Sequence, residues 1–294
     1  MEILPQINFT SLGITTDQIK HIETLRHRPG HMVYRIVCQN ASYVLKWFEP
    51  PAIATEVQVY DLLANCGVPT LPLYAHTNHA LLLEDLEYSS TWRLARGADL
   101  ENLATGVAIA EWYSNLHQSG RETLKDPKTK PAFLHAWVDE VNEYTLCAAG
   151  TSLDIQEEPV WSLALEHTQS LKAAYLKLPQ TFNYNDFAFE NLAITRQSPL
   201  RAVVFDYDQF CTGTPYSDWR NVVYSLLSPA LEAFQQAYGP VSKMERLLDE
   251  PLSVIYSLIV ASRRSGVPGW AKPLLEMVNN GELEHRMRRA MDIL

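Results

Sequence analysis

Two polar side chains in the segment FNYNDFAFENLAI (182–194), Asp186 and Asn191, lie among apolar residues that favour burial. A buried carboxylate or amide costs several kcal/mol unless a partner satisfies it. A turn could satisfy one of the two, whereas a metal ion or a reacting group would account for both. The segment is therefore a candidate site, and other parts of the chain have to supply the rest of it.

A second acid, Asp206, stands in the middle of the apolar stretch VVFDYDQF. We predict a pair of short strands from 191 to 207, with RQSPL as their turn, which would return Asp206 to the side of Asn191. Carboxylate and amide oxygens that meet at one end of a hairpin form a site for a hard cation. Magnesium enters such sites through one or two carboxylates and completes its shell with water and phosphate oxygens.

A lysine and a glutamate earlier in the chain complete a set of groups that phosphoryl transfer uses. Lys46 lies on a predicted strand (VLKWF), and Glu56 lies in the first turn of the helix predicted after it. In phosphoryl transfer a lysine on a small sheet holds phosphate oxygens and a helix glutamate positions that lysine. An aspartate accepts the hydroxyl proton, and an Asn and a second Asp hold magnesium. The order Lys, Glu, Asp-x4-Asn, Asp along strand, helix, loop and strand matches this set.

Each of these residues also has an ordinary explanation. Most strand lysines point into water, although the apolar neighbours of Lys46 favour burial, and Glu56 could serve only the helix N-terminus through the helix dipole. We interpret Asp208 as a turn or surface acid and Cys211 as a small buried residue. The nine histidines show no metal-ligand spacing, so we assign none of them to a metal.

The first 88 residues are predicted to form a β-rich region. HMVYRIVC (31–38) and SYVLKWF (42–48) are β-branched and aromatic runs at the spacing of a hairpin. TEVQVYDLLANCG follows EPPAIA and has the cap, the helical spacing and the closing glycine of a helix. TLPLYAHTNHALLLEDL then predicts two more strands around a polar turn.

From about Ser89 the pattern becomes helical. ADLENLATGVAIAEWYSNLHQSG predicts a long amphipathic helix that ends near Gly120, and two more helices are predicted near 131–148 and 159–178. RAVVFDYDQF (201–210) predicts a further strand, and the remainder is predicted to be helical with Pro and Gly breaks. The β-rich first region argues against an all-helical interaction protein.

The composition, with 47% hydrophobic and 20% charged residues, is typical of a globular protein. The net charge of -10, from 24 basic and 34 acidic residues, argues against nucleic acid as a partner, because phosphate binding needs a basic surface. No apolar run reaches the roughly 18 residues of a membrane span. The start MEILPQINFT lacks the pattern of a signal peptide, and the four cysteines form no CxxC pair. We therefore expect a cytoplasmic protein with no membrane partner.

These motifs together resemble those of the aminoglycoside phosphotransferase and choline kinase family, which has a protein-kinase-like fold. YNDFAFEN resembles the catalytic loop of the family, which makes Asp186 the catalytic base and Asn191 a magnesium ligand. VVFDYDQFCTGTPYSDW resembles its strand-Asp segment and later Asp-led helix, which makes Asp206 the main metal ligand and Asp218 a structural residue. The loop departs from the family pattern at two positions: Tyr184 stands where the family usually has histidine, and Asn185 stands where it usually has glycine.

The resemblance also assigns a nucleotide site. LKWF supplies Lys46 and TEVQVYDLL supplies Glu56, while LLLEDL resembles the hinge, where backbone groups around Glu84 and Leu86 would contact adenine. WYSNLHQSG resembles the family's Leu-His-x-x-Gly helix end, in which the histidine, here His117, is structural. The phosphate-covering loop LRHRPGHMVY has a single glycine, Gly30, where protein kinases have three.

The resemblance implies an α+β, two-lobed protein-kinase-like fold. A small β-rich nucleotide-binding lobe would occupy residues 1–88, and a larger, mainly helical lobe at 89–294 would carry the catalytic loop and the acceptor site. The implied activity is ATP- and Mg²⁺-dependent phosphorylation of a hydroxyl group on a small molecule. The acceptor stays open among aminoglycosides, choline, ethanolamine, other amino alcohols and sugars, and the acidic net charge is compatible with a cationic one. The alternative is a pseudokinase, a nucleotide-binding or scaffolding module without transfer, which the altered loop and the sparse glycines would favour.

Overall fold

The computed structural model describes residues 7–28, 30–49, 55–126, 128 and 130–294. The chain forms two compact units. The first comprises Met1–Asn115, Asp186–Phe210 and Ser225–Tyr238, and the second comprises Leu116–Asn185, Cys211–Tyr224 and Gly239–Leu294. The lobe boundary expected at residue 88 lies inside the first unit, and the division into lobes stays a prediction. All but the first residue of the EPPAIA segment lies outside the described residues.

The chain begins with strands and ends with helices, which confirms the predicted α+β class. The strands are β1 (Ile19–Arg28), β2 (His31–Cys38), β3 (Ser42–Phe48), β4 (Leu73–Thr77), β5 (Ala80–Glu84), β6 (Trp92–Leu94), β7 (Thr181–Asn183), β8 (Leu192–Thr195), β9 (Ala202–Val204) and β10 (Cys211–Gly213). The helices are α1 (Thr55–Asn65), α2 (Leu103–Leu124), α3 (Glu143–Leu153), α4 (Pro159–Leu176), α5 (Pro215–Ser225), α6 (Ala230–Tyr238), α7 (Lys243–Ser262), α8 (Lys272–Asn279) and α9 (Glu282–Met291).

The first unit is built on a five-stranded antiparallel sheet in the order β1-β2-β3-β5-β4. One face of this sheet packs on a core that includes Tyr34, Ile36 and Leu45. Side chains alternate between the two faces of a strand, so Lys46 lies on the face opposite to its neighbour Leu45. The predicted strands 31–38 and 42–48 are confirmed at both ends. The sheet thus positions Lys46 through the simple alternation of β3.

The edge strand β1 was not predicted from the sequence. Its residues, IKHIETLRHR, are polar at most positions, and most of them are exposed in the structure. A strand with no buried alternating face lacks the period-two pattern by which strands are recognised. Its pairing with β2 therefore forms through backbone hydrogen bonds that leave no trace in the hydrophobic pattern.

A second, three-stranded sheet in the order β6-β8-β9 also belongs to the first unit. Strands β8 and β9 are antiparallel, with Leu192 opposite Val204 and Ile194 opposite Ala202, and every residue of both strands is buried. The hairpin predicted over 191–207 is therefore confirmed. The predicted strand over 201–210 is shorter than expected, because the chain leaves the sheet after Val204.

The second unit is mainly helical, as predicted for the end of the chain. Helices α4, α7 and α9 share a core in which Trp161, Leu252, Ile255 and Met287 are fully buried. The predicted helix at 159–178 is confirmed as α4, whereas the one near 131–148 is displaced. Its first part is a short 3₁₀ turn, and α3 begins at Glu143, because the Asn142 side chain accepts a hydrogen bond from the Thr145 amide and caps the helix there.

Helix α2 does not end near Gly120, as the sequence suggested, but continues to Leu124. A Cβ atom at position 120 would collide with the Phe182 nitrogen and with Thr181 Oγ1. The glycine therefore allows strand β7 to approach the helix closely, and it does not cap the helix.

Among the described residues, none of the helices combines the length and the apolar composition that a membrane span requires.

Candidate active site

Lys46 is buried at the centre of a cluster of carboxylates in the first unit, with 5% of its surface exposed. Its Nζ donates to Glu56 Oε2 and to Asp206 Oδ1, the latter at 2.6 Å, and it lies 3.4 Å from Asp208 Oδ1. The structure thus brings together three residues that the sequence placed on separate elements: Lys46, Glu56 and Asp206.

Glu56 is positioned by the start of α1 and is almost fully buried. One carboxylate oxygen accepts from Lys46, and the other accepts from the Tyr207 amide at 3.3 Å. Both oxygens therefore have partners, as a buried carboxylate requires. This arrangement ties α1 to β3 and to the segment after β9.

The charges of the cluster determine one another's protonation. Burial alone would lower the pKa of Lys46, but the Glu56, Asp206 and Asp208 carboxylates outweigh it and raise the pKa above its ordinary value. Burial would raise the pKa of Asp206, and the Lys46 ammonium reverses this and lowers it. Lys46 is therefore a cation and Asp206 an anion at neutral pH.

Asp206 occupies the left-handed region of the backbone, with φ of 67°. Such a conformation is uncommon outside glycine, although Asp and Asn tolerate it better than most residues. The Phe205 amide donates to the Asn191 carbonyl at 3.0 Å, which fixes the chain just before the turn. The predicted return of Asp206 to the side of Asn191 is therefore what the structure shows.

Asp186 and Asn191 lie against each other in the first unit. Asn191 Nδ2 donates to Asp186 Oδ2 at 3.0 Å and to the Asp186 carbonyl at 3.3 Å. Burial and the nearby Asp206 carboxylate raise the pKa of Asp186 to about 6, while the Asn191 hydrogen bond opposes the shift. A carboxylate with a raised pKa accepts a proton more readily than an ordinary one.

The residues that precede Asp186 are held within the second unit by Asp218. Its carboxylate accepts from the Tyr184 amide at 3.0 Å, from the Asn185 amide at 2.8 Å and from Asn183 Nδ2 at 3.1 Å, and it contacts His117 Nε2 at 3.1 Å. The predicted structural roles of Asp218 and His117 stay predictions that these contacts support.

The backbone of Asn185 has a left-handed conformation, at a position where the resemblance predicts a glycine. Its φ is 60°, in the left-handed region that glycine adopts freely and that asparagine adopts more easily than most other residues. Its side-chain oxygen accepts from Asn221 Nδ2 at 3.1 Å. Tyr184, at the position of the usual histidine, is fully buried in the second unit.

A cavity of about 690 Å³ in the first unit is lined both by the cluster around Lys46 and by the predicted adenine segment. Lys46, Asn191 and Asp206 line one part of it, and Glu84 and Leu86 line another. Its apolar walls are supplied by Val33, Val44, Leu71, Leu83, Leu94 and Phe205. A cleft with apolar walls and a few converging polar groups is the usual form of a small-molecule site.

Two of the backbone groups in the predicted adenine segment already have partners. The Glu84 amide donates to the Pro72 carbonyl at 3.0 Å, and the Leu86 carbonyl accepts from Arg196 Nη2 at 3.1 Å. The same arginine donates through Nε to the Ser89 and Trp92 carbonyls. The segment is therefore anchored to the end of β8, and Arg196 was not among the residues found from the sequence.

Two further acidic residues close to the site, Asp85 and Asp208, were not assigned to it from the sequence. Asp85 is buried and accepts from Arg35 Nε at 2.9 Å and from Ser42 Oγ at 2.6 Å. Its position directly after the apolar run ALLLE was the available signal. Asp208 does lie in a turn, as expected, but its carboxylate faces Lys46 across 3.4 Å.

The oxygen atoms of the cluster fit a hard divalent cation. One carboxylate oxygen from each of Glu56, Asp206 and Asp208 lies within 4.8 Å of the others. Asn191 donates through Nδ2 to Asp186, and its amide oxygen takes no part in that hydrogen bond. Carboxylate and amide oxygens are the ligands that magnesium takes, and a histidine or cysteine, which would favour a transition metal, is not part of this cluster in the described residues.

Comparison with known proteins gives the following similarities. A model of the phosphotransferase enzyme family matches residues 28–249. The choline kinase LicA from Streptococcus pneumoniae is 14% identical, with a TM-score of 0.61 over 91% of this chain and 94% of that one. An ethanolamine kinase from Plasmodium vivax is 10% identical, with a TM-score of 0.61 over 96% and 86%. The ADP-bound aminoglycoside phosphotransferase APH(2'')-Ib is 14% identical, with a TM-score of 0.56 over 93% and 95%.

No curated protein sequence matches this chain significantly. At the identities of the solved structures, the similarity establishes a common fold, and it confirms the predicted protein-kinase-like architecture.

Proposed function

We propose, because this chain belongs to the phosphotransferase enzyme family, that it transfers the γ-phosphoryl group of ATP to a hydroxyl group of a small molecule with the help of Mg²⁺. The predicted family is confirmed, and the protein is a small-molecule phosphotransferase. The nucleotide, the metal ion and the roles of the individual residues are the parts that we propose here.

The single observation that carries the proposal is the arrangement around Lys46. A buried ammonium group contacts Glu56 on one side and Asp206 on the other, and the cavity that they line also contains Asn191. Kinase sites need a lysine held by a helix glutamate and an aspartate near the phosphates. The contacts of Lys46 with Glu56 and Asp206 support these assignments.

Lys46 would hold the α- and β-phosphate oxygens, with Glu56 orienting the lysine. Glu84 and Leu86 would contribute backbone contacts to adenine. Asp206 and Asn191 would hold the magnesium ion, which when bound neutralises charge on the phosphate oxygens. In this chemistry the protein mainly positions the reactants and stabilises charge.

Asp186 would orient the acceptor hydroxyl and accept its proton. The acceptor oxygen forms a bond to the γ-phosphorus atom, while the bond from that phosphorus to the β,γ-bridging oxygen breaks and ADP leaves with the electron pair. The proton of the hydroxyl passes to an Asp186 carboxylate oxygen. The raised pKa of Asp186, about 6, suits it to this role near neutral pH.

The acceptor belongs to the class of small molecules that carry a hydroxyl group. The similar solved structures include a choline kinase, an ethanolamine kinase and an aminoglycoside phosphotransferase, which supports amino alcohols and aminoglycosides as candidates beside sugars. The amino alcohols and the aminoglycosides are cationic, and the acidic net charge of -10 is compatible with them. Location in the cytoplasm is part of the same proposal.

The rival proposal is a pseudokinase that binds nucleotide without transfer. An ADP-release assay across amino alcohols, aminoglycosides and sugars separates the two, because only an active enzyme releases ADP in an acceptor-dependent manner. A magnesium-dependent rise in melting temperature with ATP is expected in both cases. Its absence would contradict nucleotide binding altogether.

A further inference from the structure

The hairpin of β1 and β2 lies over the nucleotide cavity with few glycine amides to offer. Protein kinases cover the phosphates with a G-x-G-x-x-G loop, whose backbone can approach them closely. Here the corresponding turn contains one glycine, Gly30, with φ of 87°. Any positive charge that the hairpin presents to the phosphates would therefore have to come from its side chains.

A β-bulge at Leu25 determines which side chain that is. Thr24 lies opposite Tyr34, and the next paired residue of β1 is Arg26, which lies opposite Val33. The register shift between them leaves Leu25 as the extra residue. Strict alternation would put Arg26 on the same face as Thr24, whereas the bulge turns it to the other face.

Arg26 then stands in one row with Lys46 across the sheet. Val33 is opposite Arg26 on β1 and opposite Lys46 on β3, so the two basic residues flank it on the same face. Two strand spacings put their Cα atoms roughly 10 Å apart. Side chains that converge from this distance can contact neighbouring phosphate groups of one nucleotide.

The surroundings of Arg26 match this role. Arg26 and His31 line the cavity together with Lys46 and Asp206. In the part of the chain that the structure describes, the Arg26 side chain has no hydrogen-bond or ion-pair partner, so its guanidinium is available to a ligand.

Two other arginines that line the cavity differ in this respect. Arg35 is bonded to Glu23, Asp85 and Glu87, and Arg93 forms a two-point ion pair with Asp99. Their charges are compensated by protein carboxylates.

We propose that Arg26 is a phosphate-binding residue, which supplies from a side chain part of the charge and hydrogen bonding that a glycine-rich loop supplies from its backbone. The proposal rests on the proposed nucleotide-dependent function. A guanidinium group is suited to the task, because it is always charged and binds phosphate oxygens with two donors at once.

The test is calorimetric titration of the wild type and of Arg26→Ala with Mg-ATP, Mg-ADP and adenosine. Arg26→Ala is expected to bind Mg-ATP about tenfold more weakly, which corresponds to about 1.4 kcal/mol, and to bind adenosine as the wild type does. Arg26→Lys should recover part of the loss. Lys20→Ala, which removes the same charge from the same strand at a residue bonded to the Gln39 carbonyl, should leave all three affinities unchanged.

Unchanged Mg-ATP affinity in Arg26→Ala would overturn the proposal. An equal loss for adenosine would also overturn it, because it would indicate a distorted sheet and not a lost phosphate contact. A wild-type protein that binds neither ATP nor ADP would instead contradict the proposed function, and this inference with it.

Discussion

Lys46 Nζ lies 2.6 Å from Asp206 Oδ1, although 160 positions separate the two residues in the sequence. The same ammonium group contacts Glu56, so one buried cation compensates two carboxylates. In the proposed reaction Lys46 turns to phosphate and Asp206 to the metal ion. The ion pair thus keeps both groups charged and in place until the nucleotide phosphates bind Lys46 and the metal ion binds Asp206.

The Lys46–Glu56 pair predicts a separation of stability from activity. Lys46→Met leaves the buried Glu56 carboxylate without its counter-charge and should lower the free energy of unfolding by about 3 kcal/mol. It should also reduce turnover by about 100-fold or more, because the phosphate contact is lost. Urea denaturation and an ADP-release assay measure the two effects.

The double variant Lys46→Met/Glu56→Gln is the matched control for that experiment. Removing both charges should restore most of the lost stability but none of the activity. A single variant as stable as the wild type would contradict the buried ion pair, and a double variant with normal turnover would contradict the role of Lys46.

The backbone of Asn185 predicts an ordered response to substitution. Asn185→Gly should be tolerated, because glycine adopts a φ of 60° without strain, whereas Asn185→Ala should lose about 1 kcal/mol more stability. Both changes remove the contact with Asn221, so the difference between them isolates the backbone conformation. Chemical denaturation of both variants checks it, and equal stability of the two would count against a left-handed residue at this position.

The raised pKa of Asp186 predicts how activity depends on pH. Asp186 can accept a proton only when it is ionised, so kcat/KM for ATP should fall as the pH drops through about 6, by about tenfold for each further unit. The Kd of Mg-ATP over the same range serves as the control, and a profile flat to pH 5 would exclude Asp186 as the base.

Much of the core of the site could be predicted because its elements carry strong local patterns. Strands β2 and β3 are runs rich in β-branched and aromatic residues, so the strand that carries Lys46 followed from the sequence. The hairpin of β8 and β9 has apolar strands joined by a polar turn, which placed Asp206 next to Asn191. These positions depend on the local composition of the strands and on one short connection.

Other parts of the site depend on features that a linear pattern does not contain. Strand β1 has no buried face, and its bulge at Leu25 decides where Arg26 points. The proximity of Asp208 to Lys46 depends on the turn after β9, and Gly120 permits a close contact with a strand distant in sequence. Tertiary packing determines such features, so the sequence alone predicted a helix end at Gly120, and it predicted Asp208 as a turn or surface acid without its approach to Lys46.

In the proposed mechanism the two aspartates of the site have different tasks. Asp186 would act as the base and would not hold the metal, whereas Asp206 would provide the charge that magnesium needs. Replacing each by asparagine keeps its size and removes only its charge. Asp292→Asn, a change of the same kind at an exposed residue near the C-terminus, is the control.

Calorimetric titration of Mg-ATP into the two variants is the most direct test of this division. Asp186→Asn should bind Mg-ATP about as tightly as the wild type and the Asp292→Asn control while losing turnover, and Asp206→Asn should bind it at least about tenfold more weakly. An equal loss of binding in both variants, or wild-type turnover by Asp186→Asn, would contradict the account.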